Sequence, residues 1–270
     1  MTIPPPNLRP LSPGEIMDRA FRLYRANFLM LIGISLVVLI PISVIQAIGL
    51  IYFKTTSLLI FMQLFLLPLP YGALTWAASH IYLGGSISLG EAYRASWLHF
   101  RSVWAVVCLR YLIAFSAIIL VYLGRTGGIV GVLVMLLFVL PSYIFLTTRW
   151  VIDLPCIILE GLGARASLDR SWALTARDAW HACGTCLTSF LLVYLLTTSP
   201  GVILDYTVRV YKLLPGVGPV ISAAVVQLGA SVGMPLNVSA YVILYYDLRV
   251  RREAYDLEVA LQAPDAQAAA

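Results

Sequence analysis

Six apolar runs, each long enough to cross a bilayer as a helix, limit the possible folds of this chain more than any other feature of its sequence. A transmembrane helix needs about 20 predominantly apolar residues. The runs cover residues 28–53, 57–83, 103–123, 127–151, 180–207 and 217–246. We therefore predict an all-α membrane protein with about six transmembrane helices.

The composition of the chain excludes an ordinary soluble enzyme. Hydrophobic residues make up 60% of the chain and charged residues only 11%, whereas soluble domains carry about 25% charged residues. Basic cytoplasmic loops commonly give a membrane protein a positive net charge, and this chain carries +5. We expect the lipid bilayer to be its main partner, and we do not expect nucleic acid.

Basic residues are unevenly divided between the two sides that the apolar runs define. The richer side consists of the N-terminal segment, the second and fourth connections and the C-terminal segment. Its basic residues are Arg9, Arg19, Arg22, Arg25, Arg94, Arg101, Arg149, Arg165, Arg170, Arg177, Arg249, Arg251 and Arg252. The other side has only Lys54, Arg125, Arg209 and Lys212. Because basic loops remain in the cytoplasm, we predict that both termini are cytoplasmic.

A short pattern recurs ahead of the first and third runs. Ser12 with Glu15, and again Ser88 with Glu91, have the S-x-x-E spacing of a capping box, which begins a helix. Each box leads into an amphipathic segment with aromatic residues along one side, and then into a pair of runs with a short connection. A third copy, around Trp172, lacks the box. We predict three repeats of an interfacial amphipathic helix followed by a transmembrane hairpin.

The two ends of the chain differ from its middle. The start is rich in proline and the end is rich in alanine, and termini of this kind seldom pack. We predict a disordered segment at residues 1–11, a single helical membrane domain at 12–258 and a disordered tail at 259–270.

Three stretches of the sequence resemble a known family. They are LSPGEIMDRAFRLYRANF at 11–28, LEG and ASLDRSW within 159–172, and YYDLRVRRE with DLE within 245–258. These stretches are similar to bacterial proteins related to the glycerophosphodiester phosphodiesterase membrane domain. The resemblance implies a multi-helix module of the bacterial inner (cytoplasmic) membrane, which is sometimes fused to a phosphodiesterase domain and often stands alone.

The residues that phosphodiesterase chemistry needs are not grouped in this sequence. That chemistry would use a histidine acid/base pair and carboxylates on a metal ion. His80, His99 and His181 are scattered over separate segments. We therefore expect the catalytic domain to be absent from this chain, with no catalytic residue, no metal site and no cofactor.

Two local patterns invite a chemical interpretation. His181, Cys183 and Cys186 are potential metal or redox residues, although a lone C-x-x-C at the start of an apolar run is weak evidence. Ser231 lies in a G-x-S-x-G sequence at 229–233, but inside an apolar run and not after a strand. We expect packing roles for both patterns and leave a metal or redox role of the first open.

Charged residues within or beside apolar runs are the best pointers to function in a membrane protein. The candidates are Arg110, Arg149, Asp153, Glu160, Asp169, Arg170, Asp247 and Arg249. If the fourth helix continues beyond its run, Arg149 and Asp153 would pair as i and i+4 neighbours. Arg110 lies well inside a run, where it would either reach the headgroups or pair with an acidic residue. We interpret the group as a structural ion-pair cluster or as an anionic-ligand site, since arginine binds phosphate well.

Two functions fit these features. The first is a non-enzymatic membrane module with a scaffolding, regulatory or sensing role in the bacterial envelope. The alternative is a transporter or lipid-handling protein that binds an anionic or phosphate-bearing ligand at the cytoplasmic side. Its partners besides the bilayer would be anionic lipid headgroups or other membrane proteins.

Overall fold

A computed structural model describes residues 9–53, 57–126, 128–211 and 218–254. Within these ranges the chain forms α-helices and three π-helical segments, with no β-strand. The α-helices are α1 (Pro13–Ala26), α2 (Phe28–Ile48), α3 (Ser57–Leu66), α4 (Pro68–Tyr82), α5 (Leu89–Leu98), α6 (Phe100–Thr126), α7 (Gly128–Val134), α8 (Leu140–Arg149), α9 (Asp153–Glu160), α10 (Ala164–Thr175), α11 (Ala179–Val193), α12 (Ser199–Val210) and α13 (Gly218–Glu253). The π-helical segments are Gly49–Phe53, Met135–Val139 and Tyr194–Thr198. The prediction of an all-α fold is confirmed for the described residues.

Four helical stretches of the described chain are long and apolar enough to cross a membrane: Phe28–Ile48, Gly128–Glu160, Ala179–Thr197 and Val220–Glu253. A fifth candidate joins α5 to the first part of α6, with a bend of 75° between them. The predicted span at 57–83 consists of α3 and α4, which have 10 and 15 residues. The chain is thus a membrane protein with about four or five candidate spans, while six spans in three repeats stay a prediction.

Large apolar side chains cover the outside of the bundle. Leu29 is 84% exposed and Ile129 is 79% exposed. No residue is buried in the most apolar part of Gly128–Glu160. The carboxylates of Asp153 and Asp247 are buried instead. This distribution suits a protein surrounded by lipid, because apolar surface needs no burial there and polar groups must be satisfied inside.

The sequence determines where the amphipathic helices begin. At α1, the Ser12 hydroxyl accepts the Glu15 backbone N–H at 3.3 Å, and the Glu15 carboxylate accepts the Ser12 N–H at 2.8 Å. At α5, the Ser88 hydroxyl accepts the Glu91 N–H at 3.3 Å. Helix α10 begins after Gly163 without a side-chain cap. Both predicted capping residues are therefore in place, and the third helix start lacks one.

Prolines mark several of the breaks between helices. Pro68 begins α4, and Pro155 lies in the first turn of α9. Proline suits the first turn because the N–H that it lacks has no partner there. Helix α8 ends at Arg149 and α9 begins at Asp153. The condition for the predicted Arg149–Asp153 pair, one continuous helix, is therefore not met.

Helix α13 forms the centre of the bundle. It packs against α1, α2, α4, α11 and α12. Its buried residues include Ile243, Leu244 and Leu248, which are fully shielded. Because α13 contacts elements from both ends of the sequence, groups on its buried face can bring distant segments together.

The G-x-S-x-G sequence lies in α13 at a close helix contact. A Cβ added to Gly229 would lie 1.9 Å from the carbonyl oxygen of Thr197. The Ser231 hydroxyl is buried and donates to the Gln227 carbonyl oxygen at 2.9 Å. Small residues here let two backbones approach, as in other membrane helices.

The predicted disordered ends fall largely outside the described residues, which begin at residue 9 and stop at residue 254. Leu11, the last residue of the predicted disordered start, is only 2% exposed. Its backbone N–H donates to Asp247 at 2.6 Å. The chain is therefore held against α13 immediately before α1.

Candidate functional site

Charged side chains gather at one end of the bundle, formed by α1, α9, α10 and the last turns of α13. We call this the charged end. The candidate residues form three groups of contacts. Two groups lie at the charged end, and the third joins α6 to the start of α9.

The Asp247 cluster joins the start of the chain to its last helix. Asp247 Oδ1 accepts the Leu11 N–H at 2.6 Å, and Oδ2 lies 2.8 Å from both His181 Nε2 and Arg251 Nε. Arg251 also donates to the Leu11 carbonyl oxygen at 2.6 Å. The Asp247 side chain is fully buried. Both carboxylate oxygens are therefore occupied by protein donors, and three distant segments meet at one residue.

The Glu160 cluster joins α9, α10 and α13. Arg170 contacts Glu160 at 3.0 Å and Glu253 at 2.6 Å. Arg249 reaches Glu253 at 3.1 Å, and the Tyr245 hydroxyl donates to Glu160 at 2.8 Å. Burial alone would lower the pKa of the Arg170 guanidinium, but hydrogen bonds to Glu253 and Glu160 raise that pKa above its ordinary value. The carboxylates of Glu160 and Glu253 therefore stabilise the charged Arg170 guanidinium.

The third group is the pair of Arg110 on α6 with Asp153 on α9. Arg110 Nε lies 3.2 Å from Asp153 Oδ2, and Nη2 contacts Oδ1. Nη2 also donates to the Trp150 carbonyl oxygen at 2.8 Å. The Asp153 side chain is fully buried, whereas that of Arg110 is 35% exposed. Arg110 therefore replaces Arg149 as the partner that the sequence pattern predicted for Asp153.

Arg149 and Asp169 stand apart from these groups. The guanidinium of Arg149 lies 5.2 Å from the ring centre of Phe145 and 4.9 Å from that of Trp172. These distances fit cation–π contacts. Its Nε and Nη1 are buried and make no hydrogen bond to the described residues. Asp169 is exposed, and it forms no ion pair within the described part of the chain.

A polar cavity of about 150 Å³ lies beside the Arg110–Asp153 pair. It is bounded by α4, α6, α9 and α13. Its lining residues are Tyr71, Thr75, Arg110, Val151, Leu154, Pro155, Asn237, Val238 and Tyr241. Its lining residues on α4, α6 and α13 come from the apolar runs 57–83, 103–123 and 217–246. The cavity is therefore lined largely from within apolar helical segments.

A second, more open depression of about 500 Å³ lies at the charged end. It is bounded by the bend between α5 and α6 and by the connection from α9 to α10. Its lining residues are Leu98, His99, Arg101, Ser102, Gly161, Leu162, Gly163 and Ala164. Gly161 has a φ of 69°, a left-handed conformation that ends α9 and turns the chain into α10.

Comparison with known proteins identifies the family. Residues 118–258 match the model of the membrane domain of glycerophosphoryl diester phosphodiesterase, which covers just over half of the chain. The chain belongs to this family. No match was found among curated proteins or solved structures. The matched region is a membrane domain, and no phosphodiesterase catalytic domain is matched in this chain.

The residues matched by the family model include most of the candidate site residues. Asp153, Glu160, Arg170 and Asp247 lie within the matched residues, and Arg110 lies before them. Nothing among the described residues forms a cluster of three or more His, Cys, Asp or Glu side chains suited to a metal. His181 of the suspected metal or redox group contacts Asp247.

Several residues of these groups were not among the candidate site residues that the sequence suggested. Arg251, Glu253 and Tyr245 were hidden in a basic and aromatic helix end of ordinary composition. Asn237 gave a signal, because an amide inside an apolar run needs a partner; Ser189 donates to its Oδ1 at 2.8 Å. Tyr71 gave none, since tyrosine is common in membrane helices.

Proposed function

We propose that this chain is a non-enzymatic membrane module of the bacterial inner membrane, with a scaffolding role at its cytoplasmic surface. In this proposal the helices make six spans in three hairpin repeats, and the charged end faces the cytoplasm. The excess of arginine in the segments of the charged end supports this orientation. The family match supports a membrane module.

The observation that carries the proposal is the mutual pairing of charges at the charged end. Asp247 binds Leu11, His181 and Arg251, while Arg170 binds Glu160 and Glu253. Carboxylates held this way fix helices to one another, and removing one partner of such a pair destabilises the protein strongly. Ion pairs between segments distant in sequence would hold the surface of the charged end in one conformation, which suits the binding of a partner protein.

A site-specific crosslinking experiment tests the scaffolding role. Asp169 on α10 is exposed and unpaired among the described residues, so a photo-crosslinking amino acid there would report on proteins at the charged end. Tyr122 on α6 is 70% exposed and serves as the matched control outside that end. We expect a discrete protein adduct in native membranes from position 169 and none from position 122. Equal adducts from the two positions, or none from position 169, would contradict the proposal.

A turnover assay tests the absence of catalysis separately. The purified chain would be incubated with glycerophosphodiesters and with phospholipids, and released glycerol phosphate and alcohol would be measured. We expect no release above that of a heat-unfolded sample. Release that rises with protein concentration and falls in the Asp153→Asn variant would show the chain to be an enzyme.

A further inference from the structure

Two hydrogen-bond donors that line the cavity beside Arg110 have no protein acceptor among the described residues. Arg110 Nη1 makes no hydrogen bond to any described residue, although Nε and Nη2 are both bonded. The Tyr71 hydroxyl likewise has no protein partner among the described residues. Both groups line the cavity. Two donors therefore face the same space without a protein acceptor.

The side-chain oxygens of Asp153 and Asn237 near the cavity already accept hydrogen bonds from protein donors. The Asp153 carboxylate is bound by Arg110 and by the Leu154 backbone N–H, which lies 2.6 Å from Oδ1. Asn237 Oδ1 accepts the Ser189 hydroxyl at 2.8 Å. The Tyr241 hydroxyl also lines the cavity, and a tyrosine hydroxyl can donate a hydrogen bond. A ligand that accepts hydrogen bonds would match these donors.

Asp153 also fixes the orientation of the Arg110 guanidinium. Two contacts between the carboxylate and the guanidinium set the plane of the guanidinium. A third nitrogen is left at the cavity, where Arg110 is 35% exposed and can be reached from outside the protein. The volume of about 150 Å³ corresponds to about five water molecules. That space accommodates a group with several oxygens.

We propose that this cavity binds a phosphate-type oxyanion, with a phospholipid phosphate as the source that its position within apolar helical segments favours. A guanidinium and tyrosine hydroxyls are the donors that phosphate oxygens accept. Most of the cavity's lining residues come from apolar runs whose outer surfaces suit contact with lipid chains. The inference goes beyond the proposed scaffolding role and does not depend on it.

Binding by the full-length chain in a neutral detergent tests the proposal. The probes are short-chain phosphatidylglycerol, diacylglycerol of the same chain length and inorganic phosphate. Binding is followed through the thermal unfolding midpoint over a concentration series. The double variant Tyr71→Phe/Tyr241→Phe removes two hydroxyls without disturbing the Arg110–Asp153 pair, and Tyr122→Phe is the matched control at an exposed tyrosine.

We expect saturable stabilisation by phosphatidylglycerol and none by diacylglycerol. The double variant should bind phosphatidylglycerol about tenfold more weakly, because two modest hydrogen bonds are lost. Tyr122→Phe should bind as the native chain does. Saturable stabilisation by inorganic phosphate, lost in the same double variant, would support the oxyanion site and identify free phosphate as its source.

Three results would overturn the proposal. The first is stabilisation by diacylglycerol equal to that by phosphatidylglycerol, which would indicate binding through the acyl chains. The second is unchanged binding in the double variant. The third is no saturable effect of phosphatidylglycerol or phosphate, which would leave the cavity with water alone. Circular dichroism and gel filtration of each variant establish that the binding data come from folded protein.

Discussion

The Asp247 cluster and the Arg110 cavity contain similar residues but differ in whether their polar groups have hydrogen-bond partners. Each centres on a fully buried aspartate that binds an arginine. At Asp247 the remaining contacts come from a backbone N–H and a histidine, so the polar groups satisfy one another. Beside Arg110, a guanidinium nitrogen and a tyrosine hydroxyl remain without partners among the described residues. Saturated contacts hold a fold together, whereas unmatched donors leave capacity for a ligand.

The largest effect should come from removing the centre of the saturated cluster. Asp247→Ala leaves Arg251 and His181 without their buried carboxylate, and we expect a loss of about 3–5 kcal/mol in the free energy of unfolding. Unfolding in mixed detergent, followed by circular dichroism, measures it. Asp169→Ala is the control, since that carboxylate is exposed, and it should change the stability by less than about 0.5 kcal/mol. Similar losses in both variants would mean that Asp247 does not brace the bundle.

The Arg110–Asp153 pair should show strong coupling. Arg110→Gln and Asp153→Asn each leave an unpaired group, and we expect each to cost about 3 kcal/mol. The double variant should be more stable than the sum of the single effects predicts, by about 2 kcal/mol. A double-mutant cycle under the same unfolding conditions gives this value. Additive losses would show that the two side chains stabilise the protein independently.

Two tyrosine substitutions compare the two regions at the level of single hydroxyls. Tyr245→Phe removes a hydroxyl that donates to Glu160, and we expect a loss of about 1 kcal/mol. Tyr71→Phe removes a hydroxyl without a protein partner among the described residues, so its loss should be under about 0.5 kcal/mol. Both are measured without added ligand. A greater loss for Tyr71→Phe would reverse the distinction between saturated and unmatched groups.

The smallest effect concerns the capping box next to the Asp247 cluster. The Ser12 backbone N–H and the Arg9 side chain lower the pKa of Glu15 from 4.5 to about 2. Because the folded-state pKa is the lower one, the stabilising contribution is complete above about pH 4.5 and is lost as the pH falls towards 2. The midpoint difference between the native chain and Glu15→Gln should therefore shrink on acidification. A difference that grows would contradict the assigned hydrogen bonds.

The sequence was informative where physical rules act over a few residues. Long apolar runs predicted an all-α membrane protein, in which about four or five of the six expected spans are candidates in the described chain. The Ser12–Glu15 spacing predicted the start of α1. Contacts between distant residues followed no such rule. The i and i+4 spacing suggested Arg149 for Asp153, but α8 ends at Arg149, and Arg110 occupies the carboxylate from 43 residues away. Partners of this kind depend on how helices pack, which single-helix periodicity does not encode.

The order of synthesis determines when the hydrogen bond between Leu11 and Asp247 can form. The two residues are 236 positions apart, so the first amphipathic helix emerges from the ribosome long before its carboxylate partner exists. Until the last turns of α13 are made, α1 can rest only on lipid and on the helices already inserted. The Leu11–Asp247 hydrogen bond therefore forms late in biogenesis. In a nascent chain that stops before residue 247, the N-terminal segment would lack this contact and would be open to membrane quality-control proteases.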